Sequence, residues 1–132
     1  MIAMISGHLD LEQDEFDAHY APQIQKAIDA GHNFVVGDAR GADFMAQTYL
    51  FHHCSIASTI TVYHMLQSPR NRYPIFDVKG GYPSNNAKDK ALTENSDYDI
   101  LYIRPEKHSS VSGRVSGTEQ NLIRRKAKAR GK

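Results

Sequence analysis

The chain has little cysteine, little net charge and no long apolar run, and each shortage removes a class of protein. One cysteine, Cys54, among 132 residues excludes an internal disulfide and a cysteine-rich zinc site. It sits beside His52 and His53 among helix-forming neighbours, as expected of a small buried hydrophobe. The formal net charge is only +1, so the surface as a whole is not built for nucleic acid, although a local basic patch stays open. No apolar stretch approaches the roughly 20 residues needed to cross a bilayer, and the N-terminus carries neither the basic region nor the long apolar segment of a signal peptide. A cytoplasmic protein without membrane attachment is expected. No internal repeat is visible. What is present, 40% hydrophobic content over 132 residues, makes one domain with room for a real core.

The punctuation alternates strand and helix. Residues 1–5 are apolar and end in Ser6-Gly7-His8. Residues 11–30 carry Phe16, Tyr20, Ile24, Ala27 and Ile28 at helical spacing until Gly31 stops them. Pro22 within that stretch either opens a second helix in its first turn or kinks a continuous one. Further strands are expected over 33–36, 59–64 and 98–103, and further helices over 42–53, 84–95 with Ser84 as cap, and 118–129. Near-continuous apolar strands separated by helices predict an α/β fold: a single Rossmann-like domain with a mostly parallel sheet flanked by helices.

Residues 34–46, Phe-Val-Val-Gly-Asp-Ala-Arg-Gly-Ala-Asp-Phe-Met-Ala, read as strand, glycine turn and helix N-terminus. Such a junction aims backbone N–H groups and the positive end of a helix dipole at one spot, with Arg40 as a bidentate donor, which suits a phosphate or carboxylate. The structural alternative is a tight turn in which Asp38 caps and Asp43 complements the dipole. Ser6-Gly7-His8 and Ser116-Gly117-Thr118 form two more junctions, each with small residues and a hydroxyl. Ligand sites in open α/β sheets form where strand C-termini converge, so the expected ligand-binding set is Ser6, Gly7, His8, Gly37, Asp38, Arg40, Gly41, Asp43, Ser116, Gly117, Thr118 and Asn121.

Other stretches have competing explanations. Residues 65–83 hold Pro69, Pro74, Pro83 and Gly80-Gly81, a long connection in which Arg70, Arg72, Tyr73 and Tyr82 form either a lid for a base and phosphate or a surface excursion with solvated arginines; the excursion is preferred. His52 and His53 are adjacent, whereas a helical metal pair needs a spacing of four. His8 and His64 lie near strand ends as polar boundary residues, and neither a metal nor a cofactor is expected. The basic run 124–132 offers weak contact with nucleic acid, but cations at a helix C-terminus complement its dipole and no aromatic residue is interleaved.

Gly37-Asp38-Ala39-Arg40-Gly41-Ala42-Asp43, the segment Lys88 to Asp97 leading into a strand, and Ser116-Gly117-Thr118 together resemble the SLOG superfamily over nearly the whole chain. That group joins the LOG (lonely guy) phosphoribohydrolases, the DprA/Smf recombination proteins and small YspA-like proteins, and the similarity is greatest to the YspA-like branch. The resemblance implies a Rossmann-like fold that binds a nucleotide or nucleotide-derived ligand; a sensor or accessory protein is expected, with homo-oligomers an option. LOG hydrolases carry an Arg-Lys pair before the fourth strand and a catalytic Glu three residues after their Gly-Thr; the matching positions here are Lys88-Asp89 and Asn121. An amide cannot act as that carboxylate, and Glu119 lies about 200° away around a helix. An N-glycosidic bond hydrolase or ribosyl transferase would instead use Asp38, Asp43 or Glu94, and a DprA-like nucleic-acid binder is the third option.

Overall fold

The computed structural model describes residues 1–104 and 117–130. Strands β1 (Ile2–Ile5), β2 (Asn33–Gly37), β3 (Ile60–Met65), β4 (Asp77–Tyr82) and β5 (Tyr98–Ile100) form one sheet in the order β4-β3-β2-β1-β5, with every neighbouring pair parallel. Met4 stands beside Val35 on one side and Asp99 on the other, and Val35 beside Thr61, so the strand ends are level. The helices are α1 (Gln13–His19), α2 (Ala21–Asp29), α3 (Ala42–His53), α4 (Asn85–Glu94) and α5 (Gly117–Arg130). This is the α/β, Rossmann-like architecture expected.

A parallel sheet covered on both faces needs apolar side chains on both. Ala3, Ile5, Phe34, Val36, Ile60 and Val62 point to the larger core, where Phe16, Tyr20, Ile24, Ala46 and Leu50 of the first three helices or their flanks meet them. Met4, Val35 and Tyr63 point the other way, onto Leu92 of α4. The chain builds outward from β1 to β4 and then crosses to the far side of β1 for β5, which places the reversal of strand order between β1 and β5.

One open alternative is decided and two elements differ from expectation. The stretch 11–30 is two helices: Tyr20 caps α2 and Pro22 sits in its first turn, where the missing N–H has no intrahelical role. The connection 65–83 contains β4, an exposed edge strand whose Asp77, Lys79 and paired glycines conceal it from an apolar-run search. β5 stops at Ile100, and the Tyr102 N–H donates to the Tyr20 hydroxyl at 3.0 Å. Ser84 caps α4 as expected, its hydroxyl accepting from the Ala87 N–H at 3.1 Å. Among the described residues no helix is long and apolar enough to cross a membrane.

Candidate functional site

β2 ends on Gly37, and the next residue, Asp38, turns its carboxylate inward, where it is almost wholly buried. One oxygen accepts from Arg70 Nη2 at 2.8 Å; the other accepts from the Arg70 backbone N–H at 2.8 Å and its Nε at 3.3 Å. Lys88 Nζ, from the first turns of α4, lies 3.6 Å away. Burial alone would raise the Asp38 pKa, but these donors and cations outweigh it and hold the group below its ordinary value.

Gly37 makes the rest of the cluster possible. A Cβ there would lie 2.4 Å from Asp43 Oδ2 and 3.2 Å from Lys88 Nζ, so both charged groups occupy the space a side chain would fill. Asp43, in the first turn of α3, turns its carboxyl inward and accepts from the Ala39 N–H at 3.3 Å. Desolvation raises its pKa to about 7 against the attraction of Lys88, with Asp89 and Asp38 adding repulsion. Asp89 lies 3.7 Å from Lys88 Nζ and is raised as well, again mainly by burial. One lysine therefore faces three carboxyl groups, of which one is held below its ordinary pKa and two are raised above it.

The connection between β3 and β4 is pinned to this strand end. Buried Gln47 donates to the carbonyls of Gly37 at 3.2 Å and Asn71 at 3.0 Å, and accepts from the Tyr73 N–H. Asn71 Nδ2 donates to the Asp38 carbonyl at 3.0 Å. Tyr73 stacks between Phe44 and Phe51, Tyr82 stacks on Tyr63, and Arg72 donates to the Phe76 carbonyl. Of the four residues considered for a lid, only Arg70 reaches the site. The excursion reading fits the rings, which pack on the fold, and in part Arg70, whose side chain stays 45% exposed while it pairs with Asp38. Asp38, Arg70, Gly81 and residues 65–68 border an open hollow of about 600 Å³.

α5 closes the cluster from the other side. Buried Asn121 accepts from Arg124 Nη1 at 2.7 Å, and Arg124 Nη2 also bonds Asn86 at the start of α4. Asn121 thus has an arginine as its hydrogen-bond partner.

The strand reversal between β1 and β5 is filled on the side of the larger core. The Tyr20 hydroxyl donates to the Ser6 carbonyl at 2.8 Å and accepts from Tyr102, and a Cβ on Gly7 would lie 2.2 Å from that hydroxyl. Gly7 is small because Tyr20 and Ala42 pack against it. Gly41, at φ 73°, is small because the His8 and Leu9 carbonyls approach it, and the Ala42 N–H is taken by the His8 carbonyl at 3.1 Å. Ser6 lies on the face of Met4 and Gly37 by strand alternation; its hydroxyl is buried with no hydrogen-bond partner among the described residues.

The structure thus groups Gly37, Asp38 and Asp43 with Lys88, Asp89 and Arg70, and seats Asn121 and Arg124 against the start of α4. Arg40 is solvent-exposed on the turn between Asp38 and Asp43, with no ion pair or hydrogen bond among the described residues. Glu94 does not join them: it is the exposed last residue of α4, at the opposite end of the helix from Lys88. Gly117 and Thr118 open α5, and Ser116 lies outside the described residues. Arg124 was not expected at the site, since nothing in its local sequence marks it, and Arg70 was considered only as part of a lid. His64 is buried beneath β4, and no group of three or more metal-type side chains is assembled among the described residues. Compared with family models, curated proteins and solved structures, the chain matches none.

Proposed function

We propose that the protein binds a nucleotide or nucleotide-derived ligand over the carboxyl ends of β2 and β3, as a sensor or accessory protein. The observation that carries this is the meeting of charged side chains from separate elements at Asp38, beside an open hollow: Arg70 from a connection, Lys88 from α4 and Asp43 from α3. Buried ion pairs contribute little net stability compared with apolar packing, so a core alone gives no reason to concentrate them at one strand end. Exposed Arg40 supplies a cation for a phosphate, the carboxylates supply acceptors for ribose hydroxyls, and Met65 and Leu66 supply an apolar wall for a base. Calorimetric titration with nucleoside mono- and diphosphates and ADP-ribose tests it. Saturable binding is expected, and Arg40→Ala weakens it by roughly 1.5–3 kcal/mol, the range for a hydrogen bond to a charged group. Absence of binding across the panel by folded protein overturns the assignment.

Asp43 favours a second function. A carboxyl with its pKa raised to about 7 can hold a proton at neutral pH, as an acid for cleaving an N-glycosidic bond requires. The expected result is no sustained release of free base from nucleoside monophosphates, followed by chromatography. Turnover that Asp43→Asn abolishes would replace simple binding with a hydrolase or ribosyl transferase.

A further inference from the structure

β4 is the outermost strand of the sheet, and among the described residues no element covers its free side. An open strand edge presents a row of backbone donors and acceptors ready to pair with another strand. No proline interrupts 75–82, and Lys79 lies over the Tyr63 ring at 5.7 Å, on the sheet face and clear of the edge. Apolar side chains stand exposed along or beside it: Val78 at 43%, Ile75 at 61% and Leu66 at 62% of their surface.

Reversed, the segment Asp77-Val78-Lys79 sets opposite charges against each other about a central valine. The geometry points to an antiparallel pairing of β4 with β4 of a second copy about a two-fold axis through Val78, which joins two five-stranded sheets into one. In that register Asp77 stands opposite the partner's Lys79, and Lys79 opposite the partner's Asp77. Both pairs lie on one face and complement each other in charge. Val78 meets its own counterpart on the other face. The contact is isologous and closed, because both copies use the same strand edge and pairing consumes it.

The inference does not depend on nucleotide binding and is tested without ligand. Sedimentation of the full chain over a concentration series from the micromolar range upward is expected to show a monomer–dimer equilibrium. Asp77→Lys sets lysines opposite lysines, and Lys79→Asp sets aspartates opposite aspartates; each is expected to weaken the dimer at least tenfold. The double exchange, Asp77→Lys with Lys79→Asp, restores opposite charges and is expected to return the dimer. Circular dichroism checks that the variants fold. Hydrogen exchange on the wild type is a second measurement, in which the amides of residues 77–79 gain protection as concentration rises. A wild type that stays monomeric, a dimer indifferent to both single reversals, singles that the double exchange fails to rescue, or unchanged protection at 77–79 each overturns the pairing.

Discussion

Gly37 controls how closely two charged groups approach the end of β2, and its effect can be measured separately from theirs. A methyl there would stand 2.4 Å from the Asp43 carboxylate, so Gly37→Ala is expected to cost about 1–3 kcal/mol in urea unfolding, as overpacking does. Asp43 itself carries a pH signature. Its carboxyl ionises at 3.8 when unfolded and at about 7 when folded, so between those values the folded chain holds a proton that the unfolded chain has released. Stability from this group therefore falls as pH rises through that window and levels off above it. Asp43→Asn removes the slope: its stability relative to wild type should rise from the acid end of the window to neutral pH by roughly 1–2 kcal/mol, less than the full shift implies because the residue keeps some contact with water. An unchanged pH dependence in the variant would show that Asp43 stays ionised over Gly37. The sequence marks Asp38 and Asp43 because a glycine turn between strand and helix is a local pattern. It offers Arg70 only as one of four lid candidates and does not mark its contact with Asp38, made across 32 residues of chain, since no periodicity or motif encodes a contact made by a connection folding back.

At the scale of elements, legibility follows burial. β1, β2 and β3 are buried on both faces and read as apolar runs, whereas β4 is an exposed edge and reads as a loop with glycines. α5 shows the opposite problem, a strong signal with two explanations. Arg125 bonds both oxygens of Asp99, at 3.2 and 3.0 Å, and donates to the Ser96 carbonyl at 2.9 Å and to the Ser96 hydroxyl. Lys128 donates to the carbonyls of Thr93, Glu94 and Ser96, the C-terminal end of α4 and the turn beyond it. These cations complement the α4 dipole and satisfy carbonyls that a helix end leaves open. Arg125→Ala strands the largely buried Asp99 and is expected to lower stability by about 2–4 kcal/mol, near the cost of breaking a buried pair. Arg124→Ala, whose partners are two amides, should cost well under half of that. Equal losses in urea unfolding would mean that α5 docks by its apolar contacts and not by this clamp.

Across the whole molecule, the strand order was legible as a class and the site's position was not. An open α/β sheet invites a ligand at the reversal of strand order, between β1 and β5, yet Tyr20 closes one side of that crevice with two hydrogen bonds, and the charged cluster gathers one strand over, beyond β2. Only packing could reveal this, because a helical tyrosine reads as core from its spacing alone. The same global view bears on nucleic acid. Sixteen basic and fifteen acidic residues leave no net field to draw in a polyanion, and the basic run that stands out in sequence is partly committed to the fold. Arg124, Arg125 and Lys128 are bonded to the chain, which leaves Lys126 as the exposed cation among the described side chains of 124–128. A surface that neutralises few phosphates releases few counterions, so the log of its affinity falls with the log of salt by only about 0.7–0.9 per contact. Fluorescence anisotropy with single- and double-stranded oligonucleotides should therefore show weak binding with a shallow salt slope, lost near physiological ionic strength, while nucleotide affinity in the hollow changes less. Reversing Lys126 to Glu should weaken the oligonucleotide signal without changing nucleotide titration. Tight oligonucleotide binding that survives physiological salt, with a slope requiring many phosphates, would make this a nucleic-acid protein and require α5 to release Arg125 and Lys128 from α4.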